Sequence, residues 1–216
     1  MPPRALEPAG VALVDKPAGP SSFAIVAQIR RVTGAKTGHA GTLDPFATGL
    51  LLILSGRSTK LASTVVGLDK RYLTDIDLSA TTTTGDPEGE IVERHDSPDE
   101  LDLDRLRGEI ELPVPAASAV KIGGERAYAL HRRGVAVDMP LRRSVVRALD
   151  VVARQGDVVT LELLVSSGTY IRSIAQALGG HCRTLRRLEV GPFSVAEASP
   201  PEAFTLLSEA EAVARL

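Results

Sequence analysis

Residues 50–54, LLLIL, are the longest unbroken aliphatic run in the chain. Five residues cannot cross a bilayer, which takes about 20 in a helix. A run this short and this apolar, bounded by Gly49 and by Ser55-Gly56, reads as a strand buried on both faces. A chain of 216 residues, 44% of them hydrophobic, has enough material to build a core around it. One domain over residues 1–216, or one plus a small appendage, is expected.

The surrounding pattern mixes strands and helices. VALVDK (11–16) is β-rich and ends in the turn cluster PAGPSS, from which Ser21 or Ser22 can cap an amphipathic helix over 23–32, stopped by Gly34. A further helix is expected from Ser58 to Gly67. KRYLTDIDLSA alternates, placing Tyr72, Ile76 and Leu78 on one face and Arg71, Asp75 and Asp77 on the other. Ser97-Pro98-Asp99-Glu100 has capping-box spacing with proline at the first helical position, predicting a helix through Leu106. AVKI meets ERAY at Gly123-Gly124, and alternating runs flank Gln155-Gly156-Asp157, predicting a hairpin that ends at Ser166-Ser167-Gly168. Residues 171–178 read as a helix stopped by Gly179-Gly180, and 201–216 as one terminal helix. Hairpins interspersed with separate helices define an α+β class.

The N-terminus, MPPRALEPAG, has one arginine and no apolar stretch behind it, and Cys182 is the only cysteine, so neither an intramolecular disulfide nor a cysteine-rich zinc cage can form. A reducing cytoplasm is the expected location. A formal net charge of −2 argues against a nucleic-acid partner when taken as a sum. The charge is segregated, however. Residues 121–147 carry seven Lys/Arg against two acids, Arg183, Arg186 and Arg187 form a second basic cluster, and 86–104 carry nine acids and one arginine. Such segregation can give one positive face; scattered solvated charges would explain it equally well.

The chemistry concentrates in GHAGTLDPFATG, residues 38–49. Proline after Asp44 disfavours helix at the aspartate, so a loop presents the carboxylate, and Gly38 and Gly41 let a bulky group approach the backbone. Asp-Pro beside glycine is also ordinary turn chemistry. A carboxylate can serve as a covalent nucleophile without a metal when a cation keeps it ionised in a dry pocket; Arg172 and Lys16 are candidate cations. Loops that bind nucleotide triphosphates or dinucleotides, and the serine-hydrolase elbow, are missing from the sequence, and the four histidines (39, 95, 131, 181) are too dispersed for joint metal ligation. His39 can be a cap, a surface residue or a planar group that stacks on a base. Tyr72 and Tyr170 are two of seven aromatic residues, and tyrosines on apolar strand faces mostly serve the core. The G-x-x-G at 38–41 invites a KH-type reading, but Thr-Leu-Asp-Pro follows where a KH domain would start a helix.

Taken in order, VALVDKPAGPSS, GHAGTLDPFATGLL, GRSTK, DKRY, RGEIELPVPAASAVKIGGERAYAL, SSGTYIRSIA and LRRLEVGPF make the chain resemble the bacterial tRNA pseudouridine-55 synthases of the TruB type, over about residues 11–193. The resemblance implies the pseudouridine synthase fold: a mixed, mainly antiparallel sheet flanked by helices around a central RNA-binding cleft. It implies isomerisation of uridine-55 in the T loop of tRNA to pseudouridine, after the base is flipped out, without metal or organic cofactor and without a guide RNA, by a monomer in the cytoplasm. By the same resemblance Asp44 is the nucleophile and Arg172 the arginine that keeps it charged. Tyr72 stacks on the target base and shuttles a proton. Tyr170 and Leu185 line the base pocket, Lys16 supports the site, and His39 fills the gap left by the departed nucleotide, helping to offset an unstacking cost of a few kcal/mol. Few residues follow Phe193, so the chain reads as a short form without the small RNA-binding PUA domain. Two rivals stand beside this reading: a non-catalytic RNA binder or tRNA folding chaperone on the same scaffold, and an unrelated carboxylate-dependent hydrolase, for which no second catalytic carboxylate stands out.

Overall fold

The buried run is the middle of a strand, as its composition requires. In the computed structural model, which describes residues 8–216, it lies in Thr48–Ser55, and its residues 50–54 are at most 1% exposed. The molecule is a mixed α+β protein with a mainly antiparallel sheet, and its chain divides into two compact units: residues 8–72 with 185–216, and residues 73–184. The expectation of a terminus without a leader falls mainly on residues 1–7, outside the described residues.

In the first unit β1 (Gly10–Lys16) leads into α1 (Ser22–Thr33), β2 (Thr37–His39) and β3 (Thr48–Ser55), then α2 (Ala62–Gly67) and the start of β4 (Lys70–Asp77). Ser21 caps α1 by accepting the Ala24 N–H, and Gly34, at φ 66°, closes it. Ser22, the alternative cap, is used elsewhere. β1 runs antiparallel to β3 along its whole length, Gly10 opposite Ser55 and Lys16 opposite Gly49. The other edge of β3 is shared. β2 pairs with residues 53–55, then leaves the ladder at His39, and a later strand pairs in parallel with Thr48 and Gly49. Residues 40–47 therefore bulge out where one neighbour of β3 stops and another begins. The expected helix from Ser58 is present with a 3₁₀ turn at Gly56–Leu61 before α2.

The second unit takes the chain through β5 (Ala80–Thr82), β6 (Ile91–Arg94), β7 (Gly108–Pro113), β8 (Lys121–Ile122), β9 (Glu125–Arg126), α3 (Ala127–Arg132), β10 (Leu141–Gln155), β11 (Val158–Val165) and α4 (Ile171–Ala177). β10 and β11 form the expected hairpin around Gly156, whose φ of 57° suits glycine, with Gln155 opposite Val158. β4 alternates buried and half-buried along its length, with Tyr72, Ile76 and Leu78 inward as its sequence requires. The helix expected over 98–106 does not form; only a 3₁₀ turn at Asp104–Leu106 does. Local capping loses to tertiary partners here. The Ser97 hydroxyl donates to Asp157 (2.6 Å), and the Arg154 guanidinium takes the Pro98 and Asp99 carbonyls (2.6 and 2.7 Å) that a helix would need.

The chain returns to the first unit along β12 (His181–Val190), followed by β13 (Phe193–Ser194) and α5 (Glu209–Arg215). The tail is not one helix. Leu207 bridges to Val11 and Ser199 to Val14, with a turn at 201–202 between the two bridges, and α5 begins only at a capping box of Ser208 and Glu211. Backbone groups of β1 that need partners outbid helix propensity there. Where β12 meets β3 the approach is close: Gly49 has φ 98°, and a Cβ added to it would lie 2.3 Å from the Arg187 carbonyl oxygen. Gly49→Ala is therefore expected to cost at least about 2 kcal/mol from backbone strain and overpacking. Urea unfolding checks this; an unchanged midpoint would contradict the pairing.

Candidate active site

Asp44 sits on a loop whose backbone is tied down from several sides. Lys16, fully buried at the end of β1, donates its ammonium to the carbonyls of Pro17 (2.9 Å), Pro45 (3.1 Å) and Ala47 (2.7 Å). The Gly19 N–H adds a second bond to the Pro45 carbonyl (2.8 Å). The Ser22 hydroxyl both donates to the Leu43 carbonyl and accepts its N–H (2.8 Å each), so the residue before Asp44 is held at both backbone groups. Arg187, 1% exposed on β12, donates to the carbonyls of Gly41 (3.0 Å) and Leu50 (2.7 Å), the two shoulders of the loop. Ala40, Leu43 and Ala47 point into the core, while Asp44 is half-buried. The side chain is thus carried on a backbone hydrogen-bonded from several sides without being part of the core. Lys16 acts on the backbone of this loop.

His39 is at the end of β2, at the entrance of the same loop. Burial, helped by the Arg187 guanidinium, lowers its pKa, so the ring is neutral at neutral pH. Its Nδ1 is buried without a hydrogen-bond partner. Tyr72 is 8% exposed on the inner face of β4, and Leu185 is 7% exposed on β12, both in the first unit.

Tyr170 and Arg172 belong to the second unit, at the junction of β11 and α4 that the sequence suggests. Tyr170 is the half-buried N-cap residue, beside a small cavity shared with Ile110, Leu112 and Arg142. Arg172 is 2% exposed. Its Nη1 donates to the Thr84 carbonyl (2.9 Å) and to the Asp86 carboxylate (3.0 Å), and its Nη2 to the Ala117 carbonyl (2.9 Å). Asp86 is itself held: its carboxylate accepts from the Thr84 hydroxyl (2.6 Å) and the Glu88 N–H (3.0 Å). This buried ion pair fixes the guanidinium in one orientation.

Three site residues escape sequence reasoning: Asp86, Ser22 and Arg187. Asp86 opens a run of nine acids and looks like one more solvated charge; the Thr-Thr-Thr-Thr-Gly-Asp-Pro turn before it was the available signal. Arg187 looks like part of a surface cluster with Arg183 and Arg186. The structure breaks that cluster up. Neighbouring strand residues face opposite ways, so Arg187 goes inward and Arg186 outward, where it pairs in bidentate fashion with Asp15 (3.0 and 2.8 Å); Arg183, nearer the start of β12, is exposed.

Arg187 has a further effect on Lys70, 5% exposed on β4, whose ammonium donates to the carbonyls of Val66 and Leu68 at the end of α2. Burial above all, then the Arg187 charge, pulls the Lys70 pKa down to about 8 from 10.5, against a smaller opposing pull from Asp69. Between these values the unfolded chain holds a proton that the folded one has released, so stability rises with pH from about 8 to 10.5 and is insensitive to this group below 8. Lys70→Met should lose that rise, on the order of 3 kcal/mol. Urea melts of both proteins at pH 7.5 and pH 10 check it; parallel pH profiles would contradict the account.

The fold that carries this clamped loop is mixed α+β with a mainly antiparallel sheet. The family model described as TruB family pseudouridylate synthase (N terminal domain) matches residues 29–171. A tRNA pseudouridine synthase B of Leifsonia xyli subsp. xyli is 45% identical over 209 residues, 88% of this chain and 69% of the relative. One of Mycobacterium sp. (strain KMS) is 43% identical over 211 residues, 90% of this chain and 71% of the relative. This chain belongs to the TruB family of pseudouridylate synthases. Among solved structures, a chain of a Cbf5–Nop10–Gar1 complex aligns with TM-score 0.63 and 29% identity, covering 86% of this chain and half of the other. A crystal structure of a pseudouridylate synthase aligns at TM-score 0.54 and 18% identity, over 98% of this chain and 76% of that one, a likeness of fold.

Proposed function

We propose that this protein isomerises uridine-55 in the T loop of tRNA to pseudouridine. The observation that carries the reading is the clamped Asp44 loop in a chain 45% identical to a tRNA pseudouridine synthase B over 88% of its length. The reaction breaks the N1–C1′ bond of the nucleotide and makes a C5–C1′ bond. The proton lost from C5 is matched by one gained at N1, so neither a redox partner nor a phosphoryl donor enters the balance.

Asp44 is the nucleophile in this reading, and a stationary backbone is what such a role requires, since a displacement of about 1 Å can cost on the order of 100-fold in rate. Arg172, oriented by Asp86, supplies the cation that favours the ionised carboxylate. Tyr72 stacks on the target base and moves the C5 proton. Tyr170 and Leu185 line the base pocket, and Lys16 holds the Asp44 loop. His39 takes the place of the everted nucleotide, and its lowered pKa suits that task, because a neutral ring sheds little hydration on entering a base stack. We take the two units together as one catalytic domain, since the assigned residues fall in both. The protein works as a monomer, without a guide RNA, in the cytoplasm, where tRNA is found and where its one cysteine stays reduced.

The decisive experiment incubates the purified protein with an unmodified tRNA transcript and maps pseudouridine at single-nucleotide resolution. Conversion at position 55 alone is the expected result. Binding without conversion would favour the RNA-binding or chaperone alternative and overturn the catalytic reading.

A further inference from the structure

Helix α1 turns one side away from the core. Ser22, Ile25, Val26 and Ile29 are buried, whereas Phe23 is 75% exposed and Arg30 and Arg31 face solvent. Phe23, Ala27, Arg30 and Arg31 follow the i, i+4, i+7, i+8 spacing of a single helical face, and the C-cap Gly34 continues it. With Thr37 of β2 they line an open groove of about 430 Å³. Between Asp15 and Asp44 the sequence carries no acidic residue. Arginines in the last turn of a helix have a local explanation in the helix dipole, but a phenylalanine exposed in the first turn has none. Thr37 lies two residues before His39 on the same short strand of the first unit.

We propose that this groove holds a single-stranded stretch of the RNA substrate, with Arg30 and Arg31 on its phosphates and the Phe23 ring beneath an unstacked base. The inference rests on the RNA-isomerising reading above and extends it to a surface apart from the reacting aspartate. A charged groove with an aromatic platform at one end is the arrangement that binds single strands, whose bases are free to stack on a side chain. A two-fold pairing with a second copy would set the same arginine pairs against each other, which disfavours that occupant.

The chain contains no tryptophan, so Phe23→Trp installs a single emission reporter on the platform. Titration with an unmodified tRNA transcript is expected to quench it saturably, at a midpoint equal to the overall Kd measured by filter binding. Replacing both Arg30→Gln and Arg31→Gln should lower the slope of log Kd against log salt by about 1.4, two single-strand phosphate contacts. Phe23→Ala should weaken binding by about tenfold. Circular-dichroism melting confirms that each variant is folded. Unchanged emission at saturating tRNA, or an unchanged salt slope in the double variant, would overturn the proposal. So would an emission change that follows protein concentration in the absence of RNA. Quenching by tRNA in a protein whose unmutated form makes no pseudouridine would sink the catalytic reading and leave the groove assignment standing.

Discussion

Asp44→Asn is expected to bind tRNA about as well as the unmutated protein and to form pseudouridine at a rate lower by on the order of 10⁴-fold or more, the scale seen when a catalytic side chain of a covalent mechanism is removed. The separation of affinity from turnover follows from how the loop is built. Lys16, Ser22 and Arg187 grip the backbone at Gly41, Leu43, Pro45, Ala47 and Leu50, and none of these bonds uses the Asp44 side chain. Asparagine keeps the shape and removes the charge, so the loop should stay where it is and lose only the carboxylate's charge. Single-turnover kinetics with radiolabelled tRNA, beside filter binding, provide the check. A variant that keeps a tenth of the normal rate would remove Asp44 from the nucleophile's role.

The second large effect concerns Asp86. Asp86→Ala would remove the carboxylate that the buried Arg172 guanidinium is paired with and strand the Thr84 hydroxyl and the Glu88 N–H, at a cost of about 3–5 kcal/mol. The pair makes a sharper test than the single change. Asp86→Ala with Arg172→Met removes both charges, so the double variant should be more stable than Asp86→Ala alone by about 1–3 kcal/mol, even though neither variant would be active. Urea unfolding of the four proteins in the cycle measures the coupling. Additive costs would mean that the two charges do not depend on each other.

Local patterns made much of this protein readable. The buried strand around residues 50–54, the cap and stop of α1, the alternation along β4 and the hairpin at Gly156 all follow from periodicities and turn residues that act within a few positions. The aspartate loop was legible for the same reason, because Asp-Pro among glycines favours a loop. Failures occurred where a local signal had a distant competitor. The capping motif at Ser97 was outbid by Asp157 and Arg154, and the tail was pinned to β1 through single bridges at Ser199 and Leu207 before α5 could start.

What the sequence alone determined is the chemistry at hand: a loop-borne aspartate, a short list of cations and aromatics, and the order of blocks that marks the family. What only the tertiary structure decided is which charges are instruments and which are surface. Asp86 and Arg187 are indistinguishable from solvated neighbours in the linear chain, since burial and partnership depend on residues 86 and 146 positions away, Arg172 and Gly41 respectively. A charge acquires its role from the dielectric and the groups around it, and those exist only once the chain has folded.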